Sequence, residues 1–155
     1  MNPDTTIQLL QSLFERDIRA AINEIESMPE VLLWTAPHGV TNTAGVLAQH
    51  LAGNLQHFIG HGIGGSTYVR NREQEFEYYG RTKNELLAEL ERARQAVAAA
   101  FNGFGNRALD APFPIPVPPL GIEGMDTVGG FLLQLHFHLA YHLGQLNYLR
   151  RILAS

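Results

Sequence analysis

His138 and His142 stand four residues apart in the run Phe131-Leu132-Leu133-Gln134-Leu135-His136-Phe137-His138-Leu139-Ala140-Tyr141-His142-Leu143-Gly144-Gln145. On a helix that spacing stacks two imidazoles on one face, about one turn apart. The same face carries Phe131 and Leu135 on one side and Leu146 and Leu149 on the other, so both rings fall inside a stripe that should be buried. Burying a polar ring costs roughly 1–3 kcal/mol unless its nitrogens find partners. A shared metal ion would satisfy both rings, and an i, i+4 histidine pair is a recurring way to hold one. Two separately hydrogen-bonded core histidines are the alternative. His136 points almost the opposite way and reads as a surface or interface residue.

A third histidine lies upstream. His50 shares an apolar helix face with Val46, Leu47 and Leu51, near the middle of its helix as His138 and His142 are of theirs. If the two helices lie side by side, the three rings reach one depth of the bundle. Asn54, His57 and His61 share that side, but His57 is two turns on, about 10 Å along the axis, too far to bind the same ion as His50. The pair His57/His61 abuts a glycine run and reads as mouth-lining or plain surface. Gln134, Tyr141 and Gln145 flank the paired histidines and would orient ligands or substrate, or else make ordinary helix-surface and interhelical bonds. Arg70 and Arg72 offer a place for a substrate carboxylate, yet a solvated salt-bridge loop with Glu73, Glu75 and Glu77 is the favoured reading. His38 sits in a loop after Pro37 with no assigned role.

What is missing narrows the chemistry. No Glu-x-x-His occurs, and residues 43–59 and 127–155 contain no carboxylate, which excludes di-iron carboxylate bundles. There is no His-Glu-x-x-His, no Gly-x-Ser-x-Gly and no phosphate-binding glycine motif. With no cysteine, thiolate zinc sites, disulfides and cysteine nucleophiles all fall away. Three neutral imidazoles would leave coordination positions open, as in catalytic rather than structural sites, and zinc or nickel suits such ligands.

Four helices must position these groups. The first spans about Thr5 to Ser27, with Ile7, Leu10, Phe14, Ile18, Ala21, Ile22 and Ile25 at helical spacing. The second begins at Asn42 or Thr43, both good N-caps, and runs to about Ile59, where the glycines of 60–65 break it. A third follows Thr82, whose Glu85 three residues on completes a capping-box pattern, and ends at Gly103. The fourth extends from about Thr127 to Leu153, capped by Asp126 or Thr127. Five prolines between 112 and 119 enforce an extended connection that either crosses the end of the bundle or makes a short hairpin. The fold class is therefore all-α, a four-helix bundle with long connections, in one domain over residues 1–155.

Composition sets the remaining bounds. Fifteen acidic residues against 11 basic ones leave a net charge of −4, with a single lysine, Lys83, and no basic patch for nucleic acid. No basic and apolar leader opens the sequence and no run of about 18 apolar residues occurs, so a cytoplasmic protein without membrane partners is expected.

Two motifs carry a family likeness: Gln49-His50-Leu51-Ala52-Gly53-Asn54-Leu55, and His138-Leu139-Ala140-Tyr141-His142-Leu143-Gly144-Gln145. Together with Arg70-Asn71-Arg72-Glu73-Gln74-Glu75-Phe76, they resemble the DinB-like (damage-inducible) superfamily of four-helix metal-binding proteins over nearly the whole chain. The resemblance implies a crossover bundle, usually a homodimer, holding a divalent metal through His50, His138 and His142. Several members of that superfamily are transferases or isomerases using low-molecular-weight thiols. It thus implies a metal-dependent thiol S-transferase in which a metal-activated thiolate attacks a small electrophilic substrate. Metal-assisted hydrolysis is the close variant, and a non-catalytic metal- or ligand-binding dimer of a stress response is the alternative.

Overall fold

The computed structural model describes residues 2–155. Five α-helices form: α1 (Pro3–Ser27), α2 (Ala44–Leu55), α3 (Arg72–Glu77), α4 (Lys83–Asn102) and α5 (Val128–Leu153). Each long helix starts where a short polar side chain caps it. Asn2 accepts from the Thr5 amide before Pro3, Thr43 from Val46, Thr82 from Glu85, and Thr127 from Gly130. The Thr82–Glu85 capping box is present, with the Glu85 carboxylate returning to the Thr82 amide at 2.7 Å.

The four long helices form an all-α bundle with no strand among the described residues. α1 packs against α4 and α5, α2 packs against the same two, and α1 and α2 barely meet. α1 and α2 thus sit diagonally, as do α4 and α5, so the links within these two pairs must span the bundle, whereas α2 and α4 are neighbours. Phe14, Ile18, Ala21 and Ile25 of α1 close on Leu86, Leu90, Ala93 and Val97 of α4 and on Leu132, Leu135 and Leu139 of α5, all buried in one core. Each large side chain so buried contributes about 1.5–3 kcal/mol.

Two parts of the second connection depart from the sequence reading. The glycine run does not end the helix at Ile59: the chain continues as a π-helix over Gln56–Ile63, with the Gly64 amide reaching back five residues to the Ile59 carbonyl at 2.9 Å. Gly60 and Gly64 lie so close to Ala96 and Ala100 of α4 that an added Cβ would come to 3.0 Å from each, so small residues here serve close helix contact. Beyond it, residues 72–77 are helical rather than loop. This α3 lies across α2, and every residue of α2 is buried. That cover explains how a helix can carry Gln49, His50 and Asn54 and still face no water.

The proline segment makes the hairpin rather than the crossing. Its ends pair at an antiparallel bridge between Pro112 and Thr127, with the Phe113 amide donating to the Asp126 carbonyl and the Val128 amide to Ala111, both at 2.8 Å. Phe113 then packs edge-on against Phe58 and Phe131, closing one end of the core.

Candidate metal centre

His50 enters from the middle of α2, and His138 and His142 from successive turns of α5. The structure brings all three together. His138 Nε2 lies 2.9 Å from His50 Nε2 and 3.0 Å from His142 Nε2, forming a group able to hold a metal ion. His50 is buried and the other two are half-buried.

The protons on these rings are fixed by their outer partners. Glu75, ionised, can only accept, so His50 Nδ1 must donate to its Oε2 at 2.9 Å. His142 Nδ1 donates to Gln145 Oε1 at 2.6 Å. Both rings therefore turn a bare Nε2 lone pair toward His138. His138 Nδ1 is buried with no partner. If His138 carries its proton on Nε2, it can satisfy only one of its two neighbours and leaves a buried lone pair on Nδ1. If it carries the proton on Nδ1, three lone pairs face one another. Either arrangement strands buried polar atoms at a cost of about 1–3 kcal/mol each. An electron-pair acceptor among the three nitrogens removes the conflict, and a divalent cation is such an acceptor. The residues fit a metal.

Protonation points the same way. Burial, reinforced by His142, His50 and Arg70, pushes His138 down to about 3, and burial also lowers His142. Both rings are therefore neutral ligands at neutral pH.

Glu75 does not lie in the solvated loop that the sequence suggests. Its carboxylate is buried, and Arg70 grips both its oxygens, Nε to Oε1 at 2.6 Å and Nη2 to Oε2 at 2.7 Å. Burial alone would raise this carboxyl, but the hydrogen bonds and charges of Arg70 and His50 outweigh it and hold the group below the ordinary glutamate range. Gly53 makes room for it. A Cβ at residue 53 would stand 2.1 Å from Glu75 Oε1. The neighbouring Glu73 and Glu77 are exposed, as a salt-bridge loop would have them. The available signal was Gly53 itself, a glycine in mid-helix one turn from His50, where only a close approach justifies the loss of helix propensity.

The other flanking residues sort themselves by geometry. Gln145 bonds His142 Nδ1, the orienting one of the two roles its position allows. Tyr141 is exposed with its ring 5.3 Å from that of His142, and Gln134 makes no hydrogen bond to the cluster. His57 and His61 stack on each other at 6.1 Å outside the three-histidine group, and His61 Nδ1 bonds the Ser66 carbonyl. His57 is half-buried, and burial with the charges of Arg70 and His61 lowers its pKa. His136 is not a free surface residue: its Nε2 sits 2.9 Å from the buried Asp17 carboxylate, and its ring meets Phe14 edge-on, joining α5 to α1. The exposed His38 stays outside the site. A cavity of about 700 Å³ between the start of α1 and residues 104–110 contains none of the histidines.

A family model described as the DinB superfamily matches residues 12–146, and the chain belongs to that superfamily. No curated protein matches the chain.

Proposed function

We propose that this DinB-superfamily protein is a metal-dependent enzyme that joins a low-molecular-weight thiol to a small electrophilic substrate, with hydrolysis by water as the close variant. The observation that carries the reading is the convergence of three imidazole Nε2 atoms with no anionic ligand among them. A zinc or nickel ion held there would keep most of its charge and lower the pKa of a thiol or water that reaches it.

The protein's own groups supply orientation and exclusion. Glu75 fixes the His50 ring and Gln145 the His142 ring, so neither can turn its Nε2 away. Among the described residues, Glu75 is the one carboxylate bonded to the cluster, and it is occupied by Arg70 and His50, so it is not free to take a proton from substrate. That arrangement suits a reaction in which acidity is raised at the nucleophile itself. Since the chain has no cysteine, the thiol must arrive from solution.

A homodimer belongs to the same reading. Leu133, Phe137 and Tyr141 are exposed along one side of α5, with the small Ala140 and Gly144 beside them. Ridge and notch on one helix are self-complementary across a two-fold axis. This face also favours the second reading, a non-catalytic metal-binding dimer. The discriminating experiment loads the protein with zinc or nickel and assays a panel of thiols against epoxides, alkyl halides and activated alkenes. The enzyme reading expects turnover that needs both thiol and metal and disappears in His142→Ala. A metal-loaded protein inert across the panel would leave the binding dimer.

A further inference from the structure

One turn beyond His142, between α5, α2 and the loop before α2, lies a cavity of about 390 Å³, within the range of small-molecule sites. Its walls are Gly39, Val40, Thr41 and Asn42 in the loop before α2, Leu47 on α2, and Tyr148, Leu149 and Ile152 on α5, with Gln145 at the end nearer the three histidines. None of its lining residues is charged. Leu47 precedes His50 by one turn, and Leu149 and Ile152 follow His142 by about 10–15 Å of helix rise.

Gln145 links the cavity to the histidines. Its Oε1 accepts from His142 Nδ1, which commits the oxygen and turns the amide nitrogen away from the ring. That nitrogen donates to no group among the described residues, while the side chain lines the cavity. A largely apolar cavity without a charged wall, with polar Thr41 and Asn42 on its loop side and a free N–H donor at its inner end, selects for a particular chemistry. A charged group placed there would lose hydration without a counter-charge, whereas an alkyl or aryl group would gain contacts and a carbonyl or ether oxygen would meet the amide.

We propose that this cavity binds the uncharged, apolar portion of the substrate, a chain or ring about 10 Å long bearing one hydrogen-bond acceptor at its inner end. Calling the occupant a substrate rests on the metal-centre reading above, while the selectivity follows from the lining alone. The occupant also shares Gln145 with His142, so its binding and metal binding are thermodynamically linked, each altering the other by the same factor.

The test uses N-hexylacetamide, hexanoate and hexyltrimethylammonium, one chain length in three charge states, titrated into ¹⁵N-labelled full-length protein with and without zinc. The amide is expected to shift the Gln145 side-chain NH₂ and the backbone amides of Tyr148 and Ile152 saturably, and both charged analogues to bind at least tenfold more weakly. Ile152→Glu, at an exposed position, should weaken the amide at least tenfold with zinc stoichiometry unchanged, and Ile152→Val should restore it. Equal binding of the three probes, absence of shifts at 145, 148 and 152, or protection of those residues by a second copy would each overturn the proposal. Amide binding without zinc binding would retain the cavity and remove the metal reading. Zinc binding without amide binding would do the reverse.

Discussion

Gly53→Ala is the smallest change that probes how the metal centre is built. The new methyl group would lie 2.1 Å from Glu75 Oε1 and 2.8 Å from its Cδ. A clash with the far end of a glutamate is ordinarily relieved by a rotamer change at little cost. Here the carboxylate is buried, tied to Arg70 through both oxygens and to His50 through one, so no small rotation preserves all three bonds. The bond to His50 is the longest of the three, at 2.9 Å against 2.6 and 2.7 Å, and is expected to break first. Loss of an outer partner of a metal-ligating histidine typically costs 10–100-fold in metal affinity, or about 1.4–2.7 kcal/mol. In the metal-free protein the same substitution removes a mid-helix glycine, a gain of up to about 1 kcal/mol that offsets part of the damage. Affinity should therefore fall more than stability.

The assay is competition for zinc against a chromophoric chelator, alongside thermal unfolding of the metal-free form. Glu75→Ala should match the Gly53→Ala loss, and Glu75→Gln, which keeps an acceptor for His50, should lose less than tenfold. The double variant decides the cause. If the methyl acts only by displacing the carboxylate, adding Gly53→Ala to Glu75→Ala costs no further affinity. Parent-like zinc affinity in Gly53→Ala, or full additivity in the double variant, would refute the reasoning.

Three further outcomes follow from the same geometry. His142→Ala should reduce bound zinc or nickel to well below one equivalent, whereas His57→Ala should leave it at one, measured by elemental analysis after gel filtration. Glu24, half-buried on α1, accepts from Arg150 at 2.5 Å and Asn147 at 2.9 Å; burial alone would raise its pKa, but these bonds hold it below the ordinary glutamate range. A depressed carboxyl contributes stability that is present above about pH 4.5 and is lost as pH falls through its folded-state pKa. Glu24→Gln should therefore destabilise by on the order of 1 kcal/mol at pH 7 and flatten the acid limb of a melting-temperature profile below pH 4.5. Phe137→Glu, at a position 72% exposed, should leave the helical signal and melting temperature of the protomer intact while light scattering falls from two chain masses to one. An unchanged mass would place any interface elsewhere.

The four long helices and the shared face of His138 and His142 were legible because local rules decide them. Capping side chains sit where the apolar period begins, and the i, i+4 spacing of His138 and His142 fixes their common face whatever surrounds them. Glu75 was not legible, because its burial depends on α3 folding across α2, a contact made by residues 25 positions away from His50. Flanked by Glu73 and Glu77, it has the composition of a solvated face, and two of those three glutamates do remain exposed. The π-helical continuation was hidden for a related reason. Glycines at 60, 62, 64 and 65 read locally as a helix stop, while the packing of Gly60 and Gly64 against Ala96 and Ala100 rewards a continued helix. His136 shows the intermediate case: its direction away from the paired histidines follows from the period, but its partner Asp17 is 119 residues distant and emerges only from the bundle.

Arg70 changes what the buried carboxylate can do. A glutamate bonded to a ligating imidazole ordinarily raises the basicity of that ring and adds negative charge beside the metal. Here the guanidinium takes both carboxylate oxygens at shorter distances than His50 does, and charge-assisted forks of this kind are the stronger bonds. The anion's charge is thus largely matched by Arg70, and His50 receives direction more than electron density. The immediate surroundings of the three imidazoles sum to zero formal charge, since the Glu75–Arg70 pair cancels and Gln145 is neutral. A centre so arranged directs its rings through Glu75 and Gln145 and would leave the charge of a divalent ion held there largely unspent. That is the electrostatic setting in which a thiol or water is most readily deprotonated without help from a protein base.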